Sequence, residues 1–252
     1  MHKTALITGA TSGIGLATAR KFAQNNYDLI ITGRRKERLD SLKKELLESN
    51  DIRVLALSFD VRSREEVINN LGSLDSEWQD IDILVNNAGL AAGLNHFDEA
   101  DNDDWERMID TNIKGLLYVT RQVSPGMVKR GKGHILNIGS IAGEEVYEKG
   151  NVYCATKHAV HALSKSMRID LLEHGIKVSN IAPGLVNTEF SEVRFKGDRE
   201  KARKTYKGMK PLSGEDIADV IFYCVSLPLH VNIDDVLIMP AAQATATMVR
   251  RD

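Results

Sequence analysis

Cysteine is nearly absent from these 252 residues: there are two, Cys154 and Cys224. They stand far apart and in no metal-like spacing, which argues against a disulfide framework and for a reducing compartment. Charge of one sign is missing as well. Lys and Arg number 33 against 35 Asp and Glu, a formal net charge of −2. No basic field gathers nucleic acid, and no acidic block suggests a disordered tail. Long apolar runs are also lacking. None approaches the roughly 20 residues that a spanning helix needs, and the opening MHKTALITGA meets a glycine turn too soon for a secretory apolar region. These absences leave a soluble cytoplasmic protein as the expectation, with no membrane or nucleic-acid partner. The length suits one sizeable core better than two typical domains.

What is present is alternation. Short apolar runs suited to buried strands occur at 4–8 (TALIT), 28–32 (DLIIT), 54–59 (VLALSF), 81–86 (IDILVN), 134–139 (HILNIG), 177–183 (KVSNIAP) and 235–240 (DVLIMP). Between them lie helical segments such as GIGLATARKFAQNN, KERLDSLKKELLES and the stretch from Asn151 to His174. Strands alternating with helices imply crossovers, and so one doubly wound seven-stranded parallel sheet with helices on both faces. No strand is evident between Gly184 and about Gly214. Long irregular segments in compact domains are often lids or binding loops.

The first strand runs into TGATSGIG, Thr8 to Gly15, which then opens a helix. Its glycines, Gly9, Gly13 and Gly15, are spaced G-x-x-x-G-x-G rather than in the usual dinucleotide fingerprint. The physics is shared: a tight turn lets backbone approach a pyrophosphate, and the helix start supplies free N–H groups. Thr11, Ser12 and Ile14 lie in the same turn. The bland alternative is a strand-to-helix turn with glycines for sterics. The second strand ends in Thr32, Gly33, Arg34 and Arg35. An acid there would bond both ribose hydroxyls and repel a 2′-phosphate; two guanidiniums do the opposite, so NADP(H) is favoured over NAD. At the end of the third strand, Asp60, followed by Val61, is placed to accept from an adenine amino group or simply to cap.

The stretch VYCATKHA raises a separate question. Tyr153 and Lys157 are one helical turn apart and share a face. The pair is either an ordinary amphipathic one or a phenol whose pKa a neighbouring ammonium lowers from about 10 for proton transfer. His158 and His161 sit three apart on the same helix with no third ligand evident, so no metal is expected. Cys154 reads as a small packing residue. Val160, Leu163, Met167 and Leu171 form an apolar face that suits either the intrachain core or a bundle between subunits.

These pieces resemble the short-chain dehydrogenase/reductase family over nearly the whole chain, from Thr8 to about Pro240. The matching stretches are TGATSGIG, NNAG (86–89), TNIKG (111–115), IGSIAG, YCATK and PGLVNT (183–188), in the family's order and spacing. The resemblance implies a single-domain, Rossmann-type fold and a catalytic tetrad of Asn112, Ser140, Tyr153 and Lys157. Ser140 would hold the substrate oxygen and Tyr153 would be general acid/base. Lys157 would lower the tyrosine's pKa and bond the nicotinamide ribose, and Asn112 would hold a water that relays protons. It also implies cofactor contacts at Asn87, Ala88 and Gly89, and at Pro183, Gly184, Val186 and Thr188. A substrate-covering loop is expected over about 184–214.

That loop is locally basic, with Arg194, Lys196, Arg199, Lys201, Arg203, Lys204, Lys207 and Lys210. A basic lid raises the local concentration of an anionic substrate, and Arg194, early in the loop, is the candidate to clamp a carboxylate. GLVNTEFSEVRFKGD and LPLHVNIDDVLIMPAAQ resemble the subgroup of NADP-dependent 3-hydroxy acid dehydrogenases. The resemblance implies oxidation of serine, allo-threonine or 3-hydroxypropionate-type acids, or reduction of the matching 3-oxo acids, by a homotetramer. The rival readings are a reductase of a bulkier carbonyl and a non-catalytic NADP-binding sensor.

Overall fold

The computed structural model describes residues 2–252. Seven strands are present: β1 (Thr4–Ile7), β2 (Asp28–Gly33), β3 (Val54–Ser58), β4 (Ile81–Asn86), β5 (Gly133–Ile138), β6 (Ile176–Pro183) and β7 (Asp235–Ile238). All pair in parallel in the order β3-β2-β1-β4-β5-β6-β7. The chain builds outward from β1 to β3, then returns to place β4 on the other side of β1. That reversal opens a crevice beyond the carboxyl ends of β1 and β4, where such sheets take ligands.

Helices cover both faces, so β1 and β2 are buried on both sides rather than on alternate residues. On β1 and β2, Ala5, Ile7, Leu29 and Ile31 point to one face, where they join Phe22, Leu39, Ile217 and Ile221. Leu6 and Ile30, one residue out of phase, point to the other and join Leu84, Val119, Val123, Met127 and Val178. The helices are α1 (Gly13–Ala23), α2 (Lys36–Ser49), α3 (Arg64–Leu71), α4 (Asn102–Ile109), α5 (Leu116–Arg130), α6 (Asn151–Leu171), α7 (Phe190–Arg194), α8 (Arg199–Lys204) and α9 (Gly214–Ser226). Caps set several starts. Ser63 accepts from Glu66 N on α3, Asp101 from Asp103 N on α4, and Ser213 and Asp216 form a capping box on α9. Between α4 and α5 the helix widens to a π-turn over Asp110–Gly115; such turns recur at functional sites.

The stretch after Gly184 differs from the strandless, irregular run expected. Its base is zipped: Leu212 N donates to Leu185 O and Asn187 N donates to Leu212 O. Within it lie α7 and α8, the second capped by Asp198, whose carboxylate accepts from Lys201 N at 3.0 Å. Of the α6 apolar face, Val160 is buried, and Met167 and Leu171 pack against the second core, so that face is at least partly intrachain.

One buried histidine lies on β5. His134 is 2% exposed; its Nε2 faces Ser179 Oγ at 2.8 Å and its Nδ1 has no partner. Burial, helped by Lys177, holds its pKa down from 6.5 to about 3. The unfolded chain therefore takes up this proton first as pH falls. The stability is fully present above about pH 6.5 and drains towards pH 3, by about 1.4 kcal/mol per pH unit at the steepest. Thermal midpoints should accordingly drop more steeply on acidification in the wild type than in His134→Gln. Equal slopes would assign the acid sensitivity to another group.

Candidate active site

The turn after β1 needs glycine at two places. Gly9 and Gly13 have φ of +67 and +54, and a Cβ on them would come within 3.0 Å of Ala88 Cα and 3.1 Å of the Thr188 side chain. Ser12 stands at the N-cap of α1 but makes no side-chain cap bond; its hydroxyl accepts from Arg35 Nη2 at 2.9 Å instead. The first-turn N–H groups of α1 are thus left for something else, and Ser12, Gly13 and Ile14 line a cavity. Gly15 does not reach it. A Cβ there would lie 2.4 Å from Gly9 O and 2.5 Å from Asn87 Nδ2, so this glycine closes the turn on itself. The expected contact at Gly15 is thereby replaced by a packing role.

The cavity measures about 310 Å³ and runs across the carboxyl ends of the central strands. Its floor includes Gly9, Thr11, Asn87, Ala88 and Gly89; Asn87 Nδ2 donates to Thr8 O and Gly9 O, tying the β4 end to the glycine turn. At one end stand Arg34, Arg35, Asp60 and Val61. Arg35 donates from Nε and Nη2 to Thr11 Oγ1 at 3.2 and 2.8 Å. Asp60 accepts twice from the Arg62 guanidinium, at 2.9 and 2.6 Å, and from Arg62 N. Burial opposes its ionisation, but these bonds hold its carboxyl below the usual carboxylate range. Its acceptor capacity towards an adenine is therefore largely spent on Arg62. The other end holds Ser140, Tyr153, Lys157, Pro183, Gly184, Val186 and Thr188.

Ser140, Tyr153 and Lys157 line the same cavity: helical spacing puts the last two on one face, and the family resemblance implies Ser140 beside them. Ser140 follows β5, and its Oγ accepts from Ala142 N at 3.1 Å, which fixes its rotamer. Tyr153 and Lys157 stand on α6, 8% and 7% exposed. The ionisation differs from expectation. Burial pushes the Tyr153 phenol well above its ordinary value of 10.0, and Tyr147 adds to the rise; the Ser140 hydroxyl and Arg194 pull it back only in part. Lys157 Nζ donates to Ile138 O at 2.8 Å, and burial brings its own pKa down from 10.5 to about 8.

Asn112 does not line the cavity. The π-turn aims its carboxamide at the neighbouring loop. There Oδ1 accepts from Leu90 N at 2.9 Å, and Nδ2 donates to Leu90 O at 2.8 Å and Thr156 Oγ1 at 3.0 Å. It braces the Leu90 loop against α6, with no side-chain hydrogen bond to Lys157. Neither histidine of α6 is free: His158 Nδ1 lies 2.9 Å from Cys154 O and His161 Nε2 2.9 Å from Asp235. Among the described residues no group of three or more His, Cys, Asp or Glu is placed to hold a metal ion. Cys154 is buried.

The basic segment closes over this end. Phe190 of α7 lies 5.8 Å, centroid to centroid, from the Tyr153 ring. Arg194 is half-buried, with its guanidinium carbon 5.5 Å from the Tyr153 ring centre and 5.6 Å from that of Tyr147. Its Nε donates to Gly93 O at 3.3 Å, while Gly93 N donates to Arg194 O at 3.0 Å. No carboxylate pairs with it among the described residues. Lys196, by contrast, is spent on Asp104 at 2.9 Å and Asp101 at 3.3 Å. Three residues escaped the sequence: Tyr147 and Phe190 at this end, and Glu189, whose carboxylate bridges Arg35 and Arg38 towards the other. An acid heading a basic run signals an ion pair, but not a partner 154 residues away.

The uncapped helix start, the glycine cradle that a Cβ would fill and the arginine pair fit a phosphorylated dinucleotide, and the buried Ser–Tyr–Lys group beside it fits carbonyl–alcohol chemistry. Fold and site thus define a nucleotide-dependent α/β oxidoreductase. The chain belongs to the short-chain dehydrogenase family, whose model matches residues 3–199. It is 52% identical over 242 residues to the NADP-dependent 3-hydroxy acid dehydrogenase YdfG of Salmonella typhi, covering 96% of both chains. Sulfoacetaldehyde reductase 2 of Chromohalobacter salexigens is 43% identical over the full length of both. Among solved structures, the closed form of a serine dehydrogenase complexed with NADP+ matches with a TM-score of 0.92 at 49% identity, covering 99% of this chain and 100% of that one.

Proposed function

We propose that this chain is an NADP-dependent oxidoreductase that oxidises the 3-hydroxyl of short 3-hydroxy acids of the serine, allo-threonine and 3-hydroxypropionate type, or reduces the matching 3-oxo acids. The observation that carries the substrate class is Arg194, a guanidinium without a carboxylate partner, held over the ring of Tyr153. A short acid can place its carboxylate on that fork and its 3-oxygen at the phenol, with Phe190 5.8 Å from the Tyr153 ring and Tyr147 beneath the guanidinium. The relatives named for 3-hydroxy acid and sulfoacetaldehyde substrates support a small anion.

The nicotinamide cofactor, when bound, supplies or takes the hydride. The chain's own residues do the rest. The Ser140 hydroxyl orients the substrate oxygen, and the phenol of Tyr153 gives that oxygen a proton in the reductive direction or removes one in the oxidative direction. Because burial keeps the phenol protonated at neutral pH, the donor form stands ready. The Lys157 ammonium, below about pH 8, offsets the negative charge that Tyr153 acquires once the proton has left. Asn112 holds the Leu90 loop and α6 in register, and the segment over about 184–214 excludes water over the reacting atoms.

No helix among the described residues is long and apolar enough to cross a membrane; a cytoplasmic homotetramer is the assembly we expect, checked by light scattering. The test of substrate class is an NADPH absorbance assay over 3-hydroxy acids, simple alcohols and bulky ketones. Turnover should concentrate on the acids. Arg194→Met should raise KM for them by about 10- to 100-fold, the worth of a charge-assisted bond, with little effect on an uncharged alcohol. An equal effect on both would remove the carboxylate from that fork.

A further inference from the structure

Glu189 joins two parts of the site that are far apart in sequence. It follows Thr188 and immediately precedes α7. Its Oε2 accepts from Arg35 Nη1 at 2.8 Å and its Oε1 from Arg38 Nη1 at 2.7 Å. Arg35 is otherwise committed to Thr11 and Ser12. Arg34 is the open one: its side chain is 58% exposed, and its nearest acid, Asp60 at 3.8 Å, belongs to Arg62. Arg34, Arg35 and Glu189 all line the cavity. The arginine pair that fits a 2′-phosphate is thus partly held by a carboxylate of the protein itself.

We propose that Glu189 is a specificity-tuning counter-ion of the cofactor site, one that contends with the 2′-phosphate for Arg35 and so weakens NADP(H) without affecting NAD(H). Two effects act in the same direction. The carboxylate uses a donor that the phosphate needs, and its charge repels the phosphate across a short, half-exposed gap. Arg38 keeps Glu189 in place when Arg35 turns to the phosphate, so the start of α7 need not detach. With three guanidiniums and one carboxylate, the cluster is left with a charge that a phosphate dianion balances. Return of Glu189 to Arg35 then speeds departure of the spent cofactor, a step that often limits turnover.

This inference rests on the NADP reading, and the experiment separates the two. NADPH and NADH are titrated by fluorescence against the wild type and Glu189→Gln, and NADPH release is timed by stopped flow. Glu189→Gln should bind NADPH about tenfold tighter, with release slowed to match, while NADH affinity changes less than about twofold. Weaker or unchanged NADPH binding would make Glu189 a residue that merely positions Arg35 and would overturn the proposal. Equal tightening of both cofactors would overturn it as well, since the phosphate would not be the reason. A wild type with no preference for NADPH over NADH would instead sink the NADP reading itself.

Discussion

Tyr153→Phe should abolish turnover, by about 10³-fold or more, while NADPH affinity stays within a few fold. The substitution removes one oxygen from a ring that is 8% exposed and packed on Phe190, so the fold loses little. What it removes is the proton that the substrate oxygen exchanges, and positioned general acid/base groups contribute about 10²- to 10⁴-fold. The ring at position 153 continues to fill the space beneath Arg194, so substrate KM should move far less than kcat. The pH dependence sharpens the case. The phenol's pKa lies above its ordinary value, so wild-type reduction should hold up through neutral pH, whereas oxidation, which needs the phenolate, should climb as pH rises. Burst-free steady-state rates for both directions across the neutral to alkaline range are the measurement. Appreciable turnover by the phenylalanine variant at any pH would place the proton elsewhere.

Replacing Arg34 and Arg35 together with Ala should raise KM for NADP by about 100-fold, far more than that for NAD. Each charge-assisted bond to a phosphate is worth about 1.5–3 kcal/mol in net terms, and no comparable anion on NAD needs them. The two arginines differ in what else they hold. Arg35 also anchors Thr11 and Ser12 of the glycine turn, so the single Arg35 variant should weaken both cofactors somewhat. The single Arg34 variant, from a side chain with one distant acid neighbour, should affect NADP alone. Loss of NAD and NADP activity in equal proportion in the double variant would mean the pair supports the turn and does not read the phosphate.

Much of this architecture was legible in the chain. The seven apolar runs are the seven strands, because a parallel sheet covered on both faces favours short, mostly apolar segments, and their alternation with longer amphipathic ones marks them as strands. Gly9 and Gly13 were legible because positive φ and close backbone approach are local needs. Tyr153 and Lys157 were legible because one helical turn places them on one face. Gly15 was misplaced for an instructive reason: glycine looks the same in a sequence whether the atom it admits belongs to a ligand or, as here, to Gly9 O. The segment after Gly184 showed only its charge; α7 and α8 are too short for their periodicity to register.

By itself, then, the sequence determined the strand and helix alternation, the turn that presents a helix start, and the identity and shared face of the tyrosine and lysine, all of which depend on neighbours within a few residues. Only the tertiary structure decided how those groups ionise, that Arg194 rests on Tyr153, that Asn112 braces Leu90 and that Glu189 holds Arg35. Desolvation is set by every atom around a group, and pairing energy by distances between segments over a hundred residues apart. Neither quantity exists until the sheet has closed and its loops have met over it.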